Sequence, residues 1–332
     1  DIMELDAYCR KLNIELIPSM STFGHLYKAL KTKTYGALCE LPEVAKHKFS
    51  FDERMAHHTL DVSNKESIAF VKKQIEEYMA LFTSEHFNIC ADETFDLGKG
   101  KSKELAKEKG IQKMYLDYVG ELCEFVLEKG KRPMFWGDII AGFPEAIRSL
   151  PKEVICLNWG YSPEQSEDET KALYDAGAVQ YVCPGVGGWN QFINLIESSY
   201  NNITKMCSYA HKYQALGVLN TDWGDFGHIN HPEFSTTGLI YGAAFSWNKN
   251  QLEFAEINRQ ISCIEYGDSS EKFVERIAKT AGKSVFDWWH VIMYKEGGNT
   301  DFAKEETLNK IPAANEDLCS IKRELYQGIA SM

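Results

Sequence analysis

The sequence predicts an α/β chain of the (β/α)₈ barrel type, and two observations predict it. Apolar runs alternate with helix-spaced stretches about six times, the rhythm of a parallel sheet covered on both faces. Nearly every run ends in residues suited to a site: Gly24 and His25, Asp92 and Glu93, Trp136 and Asp138, Trp159 and Tyr161, Trp189 and Asn190, Trp223 and Asp225. An open doubly wound sheet concentrates its site at one switch point, whereas a barrel draws on the C-terminal ends of many strands. The distribution favours the barrel.

The runs taken as strands are 14–20, 86–91, 133–136, 154–159, 179–183 and 218–223, each rich in β-branched or aromatic residues and closed by Gly, Asp or Trp. Helices are expected over 66–82, 111–129, 163–175 and 203–215, with a shorter one near Pro144. From Gln251 onward the pattern is helical: Leu252, Phe254, Ile257 and Ile261 fall on one face, an amphipathic stretch follows near 273–281, and a last helix is expected near 318–329. The domain expectation is therefore a barrel over residues 1–250 and a helical extension over 251–332. A closed barrel needs eight strands and six are visible, so the first two are expected upstream of Asp1, which itself opens a helix-spaced run through Ile2, Leu5, Tyr8, Cys9 and Leu12.

Bulk properties narrow the function. Among 332 residues, 48 acidic side chains against 36 basic ones leave a net charge of −12, which opposes attraction to a phosphate backbone or an anionic membrane surface. Neither nucleic acid nor membrane is expected as a partner, and no apolar run approaches the roughly 20 residues of a membrane helix. The nine cysteines are scattered and show no C-x-x-C spacing. They suit free thiols in a reducing compartment, so a cytoplasmic location is expected, with an upstream signal peptide left open. A homo-oligomer is allowed. No cofactor and no metal are expected: Asp222, Asp225, His228 and His231 are ligand-type residues in series, but they match no closed zinc pattern. Gly98-Lys99-Gly100-Lys101-Ser102 lacks the first glycine of a phosphate loop and reads as a mobile, solvated loop. His57 and His58 lie in a polar connection with no chemical role expected.

The chemistry points to Asp92 and Glu93. Neighbours on an extended strand diverge, which makes an ordinary pair of carboxylates flanking a sugar awkward. One acid transferring a proton while the other positions a nucleophile supplied by the substrate fits better. Trp136, Trp159, Trp189 and Trp223 add flat apolar walls with a polar N–H at predicted strand ends, where a sugar face or an acetamido methyl would pack.

These residues resemble the family 20 glycoside hydrolases, the β-N-acetylhexosaminidases. Phe87-Asn88-Ile89-Cys90-Ala91-Asp92-Glu93 is similar to that family's fourth-strand motif, histidine-isoleucine-glycine-x-aspartate-glutamate, with Asn88 in place of the histidine. Ile17 to His25 resembles the third-strand end, and Phe135-Trp136-Gly137-Asp138, Asn158-Trp159-Gly160-Tyr161 and Asp222-Trp223-Gly224-Asp225 resemble later strand ends. The series runs in order to about Tyr266 and is most similar to the hexosaminidase D-like branch. It implies a retaining, substrate-assisted hydrolase of terminal N-acetylglucosamine or N-acetylgalactosamine, with an oligosaccharide or glycoconjugate as partner. The resemblance implies Glu93 as acid and base, Asp92 as the partner of the acetamido N–H, and a tyrosine donating to the acetamido oxygen, Tyr161 first and Tyr181 second. It places Trp136, Trp159 and Trp223 around the acetamido group with Trp189 nearby, and Asp225 on the outer hydroxyls. Asp138 is read as a substrate residue ahead of a helix cap, and His25 equally as substrate ligand or support for Asp92. Trp247, Trp288 and Trp289 are read as packing. In the family an arginine on the first strand binds sugar hydroxyls, and no residue here takes that part. Two other readings stand at this stage: a non-catalytic carbohydrate-binding barrel, and a barrel glycosidase of another family.

Overall fold

The structure, a computed structural model, describes residues 1–41, 43, 47–51 and 53–330. It resolves into two compact units. The first comprises Asp1–Trp159 and Asp168–Tyr181, and the second Gly160–Glu167 and Val182–Met332.

In the first unit, helix α1 (Ile2–Lys11) is opened by a capping box: the Asp1 carboxylate accepts from the Glu4 amide while the Glu4 side chain reaches back. Helix α2 (Lys65–Met79) starts at Asn64, whose side chain accepts from the Glu66 amide, and buries Val71, Ile75 and Met79 at four-residue spacing. Strand β1 (His86–Asn88) follows, then helix α3 (Ile111–Glu128), strand β2 (Arg132–Trp136), strand β3 (Ile155–Trp159) and helix α4 (Asp168–Ala176). The strands pair in parallel, His86 opposite Arg132 and Met134 opposite Ile155; the crossover from β1 to β2 carries α3, and that from β2 to β3 only a one-turn helix and a 3₁₀ segment, Pro144–Ser149. Phe87, Ile89 and Phe135 are fully buried with Tyr115, Val119 and Leu122 of α3 in one core. Side chains of this size each contribute about 1.5–3 kcal/mol on burial.

Strand β4 (Val179–Cys183) divides between the units, its first three residues in the first and its last two in the second. Strand β5 (Gly217–Val218) belongs to the second unit. The second unit adds helices α5 (Ile196–Lys212), α6 (Thr236–Trp247), α7 (Phe254–Ile264), α8 (Phe273–Ala281), α9 (Trp288–Gly297) and α10 (Ile311–Ile329). Ile203 and Cys207 of α5, Tyr241 and Phe245 of α6, Ile257 and Ile261 of α7 and Val274 of α8 form one core.

Several expectations shift. Residues 14–20 form no strand. Their ladder is a single parallel bridge, Ser19 to Asn88, in which the Pro18 carbonyl accepts from Asn88 and Met20 donates to it; Pro18 has no N–H to extend the pairing. Of the run 218–223 only Val218 is strand, as the last residue of β5, and a bridge from Thr221 to Gly185, next to Pro184, follows. Helix α4 begins five residues later than expected and α5 seven residues earlier. The polar start of α5 reads as loop, but Asn202 is buried there, donating to the carbonyls of Gly160 and Ser162 and accepting from the Gly185 amide. Among the described residues, no helix is long and apolar enough to cross a membrane.

Candidate active site

The acids stand at the end of β1, where the backbone leaves extended geometry. The Asn88 side chain accepts from the Cys90 amide at 2.9 Å, and Cys90, Ala91 and Glu93 take φ of 57°, 65° and 46°. Left-handed conformations at side-chain-bearing residues persist only where surroundings hold them. Here Thr22 donates to the Ile89 carbonyl at 2.6 Å and Tyr115 to the Ala91 carbonyl at 3.1 Å, both bonds buried. Gly24 explains the close approach of the neighbouring chain, because a Cβ at that position would lie 2.6 Å from the Asp92 carbonyl oxygen.

The turn has a chemical result. Sequence neighbours that would diverge on a strand instead converge: His25 Nε2 lies 3.4 Å from Asp92 Oδ2 and 3.2 Å from Glu93 Oε2. Hydrogen bonding to Asp92 first and Glu93 second raises the imidazole to about 10 against the opposing effect of burial, so His25 is a cation at neutral pH. Asp92 and Glu93 keep 20% and 31% of their side chains accessible, enough to meet a ligand. His25 thus does what a support for Asp92 would do, and does it for Glu93 as well.

Asp138 meets the same corner. It is the first residue of a short helix, Asp138–Ala141, whose cap position is Gly137, and no side-chain cap bond forms there. Its Oδ2 instead accepts from the Glu93 backbone amide at 3.0 Å, while its Oδ1 is buried without a partner. Burial, reinforced by the charges of Asp92 and Glu93, raises its carboxyl to about 6. Asp138 therefore braces the left-handed Glu93. Trp136 is buried at the end of β2 and Trp159 is half-buried at the end of β3.

The second unit holds an aromatic group. The Trp223 indole N–H donates to the Tyr161 hydroxyl at 2.7 Å, and the Tyr161 and Trp189 rings meet edge to face with centroids 4.8 Å apart. Gly185 makes room for both rings, since a Cβ there would lie 2.7 Å from Trp189 and 3.0 Å from Tyr161. A cavity of about 100 Å³ opens beside Tyr161 and Trp189, lined also by Gly187, Gln191 and Ser198. Asp225 begins a tight turn in which Phe226 and His228 are left-handed. Tyr181, the second candidate, sits within β4 and is half-buried.

Two features had no reading of this kind from sequence. The glycine–lysine loop is no free, solvated loop. Glu40, fully buried, accepts from the Gly100 amide, the Ser102 amide and the Ser102 hydroxyl at 2.9, 3.1 and 2.8 Å, so the amides that resemble a phosphate cradle face an internal carboxylate. His57 Nδ1 donates to Asp96 Oδ1 at 3.1 Å and the His58 amide donates to Asp96 at 3.2 Å, tying this connection to the loop just after Glu93. A weak signal existed in both: an acid in an apolar context, Glu40 after Leu38 and Cys39, and Asp96 between Phe95 and Leu97. Among the described residues, no group of three or more His, Cys, Asp or Glu could hold a metal ion.

A parallel α/β sheet with adjacent acids at one strand's C-terminal end is the arrangement expected of the barrel-type glycoside hydrolases. The profile of glycosyl hydrolase family 20, catalytic domain, matches residues 1–222, and the chain belongs to that family. Hexosaminidase D from Bos taurus is 25% identical over 237 residues, covering 65% of this chain and 65% of that protein. The solved β-N-acetylhexosaminidase from Bacteroides fragilis NCTC 9343 shares the fold with a TM-score of 0.63 at 14% identity, over 81% of this chain and 56% of that one. A family 20 β-N-acetylhexosaminidase from Streptomyces coelicolor A3(2) does so with a TM-score of 0.60 at 15% identity, over 82% and 54%. The chain spans less than two thirds of the length of each of these relatives.

Proposed function

We propose that the protein is a retaining β-N-acetylhexosaminidase in which the substrate's acetamido oxygen is the nucleophile. The observation that supports this most is the convergence of Asp92 and Glu93 on one imidazolium. Two acids side by side are poorly placed to flank a sugar from opposite faces, as an enzyme-derived nucleophile requires, and well placed to act on neighbouring atoms of one sugar. The printed names of the relatives, hexosaminidases among them, support the same substrate class.

In this reading protonated Glu93 gives its proton to the glycosidic oxygen as the bond from that oxygen to C1 breaks. The acetamido oxygen closes on C1 to form an oxazolinium ring. Asp92 accepts from the acetamido N–H, which orients the amide and balances the positive charge. Glu93, now a carboxylate, takes a proton from the water that opens the ring, and two displacements at C1 return the original configuration. His25 pairs with Asp92 and holds Glu93 beside it. Tyr161 is assigned to the acetamido oxygen, Trp136, Trp159, Trp189 and Trp223 to the sugar and its acetamido methyl, and Asp225 to the outer hydroxyls. The substrate is an oligosaccharide or glycoconjugate ending in N-acetylglucosamine or N-acetylgalactosamine. Nine free cysteines support a reducing, cytoplasmic setting.

The test is release of nitrophenol from a nitrophenyl N-acetylglucosaminide by the full chain and by Glu93→Gln. A fall in kcat of roughly 10²–10⁴ is expected. Equal rates would remove Glu93 from the chemistry, and failure of a thiazoline analogue to inhibit would remove the acetamido oxygen as nucleophile.

A further inference from the structure

Two loops of the second unit carry the proposed sugar contacts, one with Trp189 and the other with Trp223 and Asp225. Both contain backbone that does not hold its own shape: Asn190 has φ 61°, Phe226 48° and His228 46°. Such residues stay left-handed only when their surroundings over-determine them. Beneath the loops, buried Asn230 donates from its side chain to the Gly188 carbonyl at 2.9 Å and to Asn194 Oδ1 at 2.8 Å, joining one loop to the other. A second tie comes from farther along the chain. Trp288 is the first residue of α9, so its backbone N–H has no partner within the helix. That N–H donates to the Asn190 carbonyl at 2.9 Å, and the Trp288 indole N–H donates to the Phe226 carbonyl at 2.9 Å. One residue thus holds a left-handed residue in each loop, Asn190 and Phe226, each through its carbonyl. Asp287 fixes the helix start by accepting from the His290 amide.

We infer that Trp288 is a positioning residue for sugar binding, a clamp that the C-terminal helices place across the Trp189 and Trp223–Asp225 loops. It lies outside residues 1–222 matched by the family profile, so this contribution is made by the proposed helical extension. The inference rests on the proposed function only for the identity of the ligand; the clamp itself rests on the two bonds.

Two substitutions dissect it in the full chain. Trp288→Phe keeps an aromatic ring and the backbone donor but deletes the indole N–H. Trp288→Pro deletes both donors at a position where proline is tolerated, since it is the first residue of a helix and Asp287 before it is extended. Hydrogen exchange should accelerate at residues 225–228 in Trp288→Phe, and at both 188–191 and 225–228 in Trp288→Pro, with the helices α5 to α8 unchanged. On the nitrophenyl substrate, KM should rise about five-fold in Trp288→Phe with kcat within about two-fold, as expected when binding geometry and not chemistry is lost. Trp289→Phe, the exposed neighbour, should change neither quantity. Unchanged exchange in both loops, a fall in kcat at constant KM, or loss of the unit's cooperative unfolding in both variants would overturn the clamp. Accelerated exchange in the two variants, together with a wild-type chain that does not hydrolyse the substrate, would instead refute the proposed function and leave the clamp standing.

Discussion

Replacing Asp138 by asparagine separates two things this carboxylate does. It accepts from the Glu93 amide, and it carries a charge that burial opposes. The rise from the ordinary 3.8 to about 6 corresponds to roughly 3 kcal/mol, reduced to roughly 2 kcal/mol for the partial solvent contact of the residue. The sign follows from linkage: a carboxyl raised in the folded state contributes stability that is complete below pH 3.8 and is lost as pH rises through 6. The amide has no proton to lose. Asp138→Asn should therefore gain about 2 kcal/mol over wild type between pH 3.5 and pH 7.5, measured by urea unfolding of both proteins at each pH. The amide oxygen can still accept from Glu93, so turnover should stay within about three-fold, whereas Asp138→Leu leaves that N–H unpaired and should lose at least about ten-fold. Parallel stability curves for wild type and Asp138→Asn, or equal turnover in the asparagine and leucine variants, would refute the account of Asp138 as a strained brace.

The same linkage applies to His25 with a different window. Its imidazole is raised to about 10 by Asp92 and Glu93, so the stability it contributes is whole below pH 6.5 and disappears as pH climbs through 10. His25→Gln should be less stable than wild type by about 2 kcal/mol at pH 6.5, a figure discounted for the exposure of both acids, and the gap should close by pH 10 in urea unfolding. Glu40→Ala strips three donors of their acceptor and should cost about 3 kcal/mol while accelerating amide exchange across residues 98–102; slow exchange there would show that another group holds the loop. Iodoacetamide at pH 7.5 should label the exposed Cys263 and Cys319 first and spare Cys90, Cys123, Cys156 and Cys207, whose thiols burial holds up at about 12; mass spectrometry of peptides reads the order.

Periodicity made much of the scaffold legible. Strands such as 132–136 and 155–159 are mostly apolar, and helices such as α3 repeat their apolar face through Tyr115, Val119, Leu122 and Val126, so both element types read from their pattern. The start of α5 was hidden because Ser198 to Asn202 is polar, and polarity usually marks a loop; buried Asn202 turns that polarity inward to satisfy backbone groups. At the site, adjacent acids after an apolar run were visible as an anomaly. Their convergence on His25 was not, because it depends on left-handed φ at Cys90, Ala91 and Glu93, residue types that do not advertise that conformation as glycine does. Trp288 was hidden for another reason. A tryptophan in a helical pattern reads as packing, and only the structure reveals that this one stands at the helix start, with both its N–H groups directed at carbonyls of distant loops.

The left-handed corner also limits what the gene can become. Valine, isoleucine or threonine at 90, 91 or 93 would meet steric resistance from the backbone before any question of chemistry arose. Glycine at 90 or 91 would relax the corner at the expense of the buried side chain there. Mutational tolerance beside the acids is thereby governed by stereochemistry, and a deep substitution scan of these positions should sort residues by branching at Cβ more sharply than by polarity.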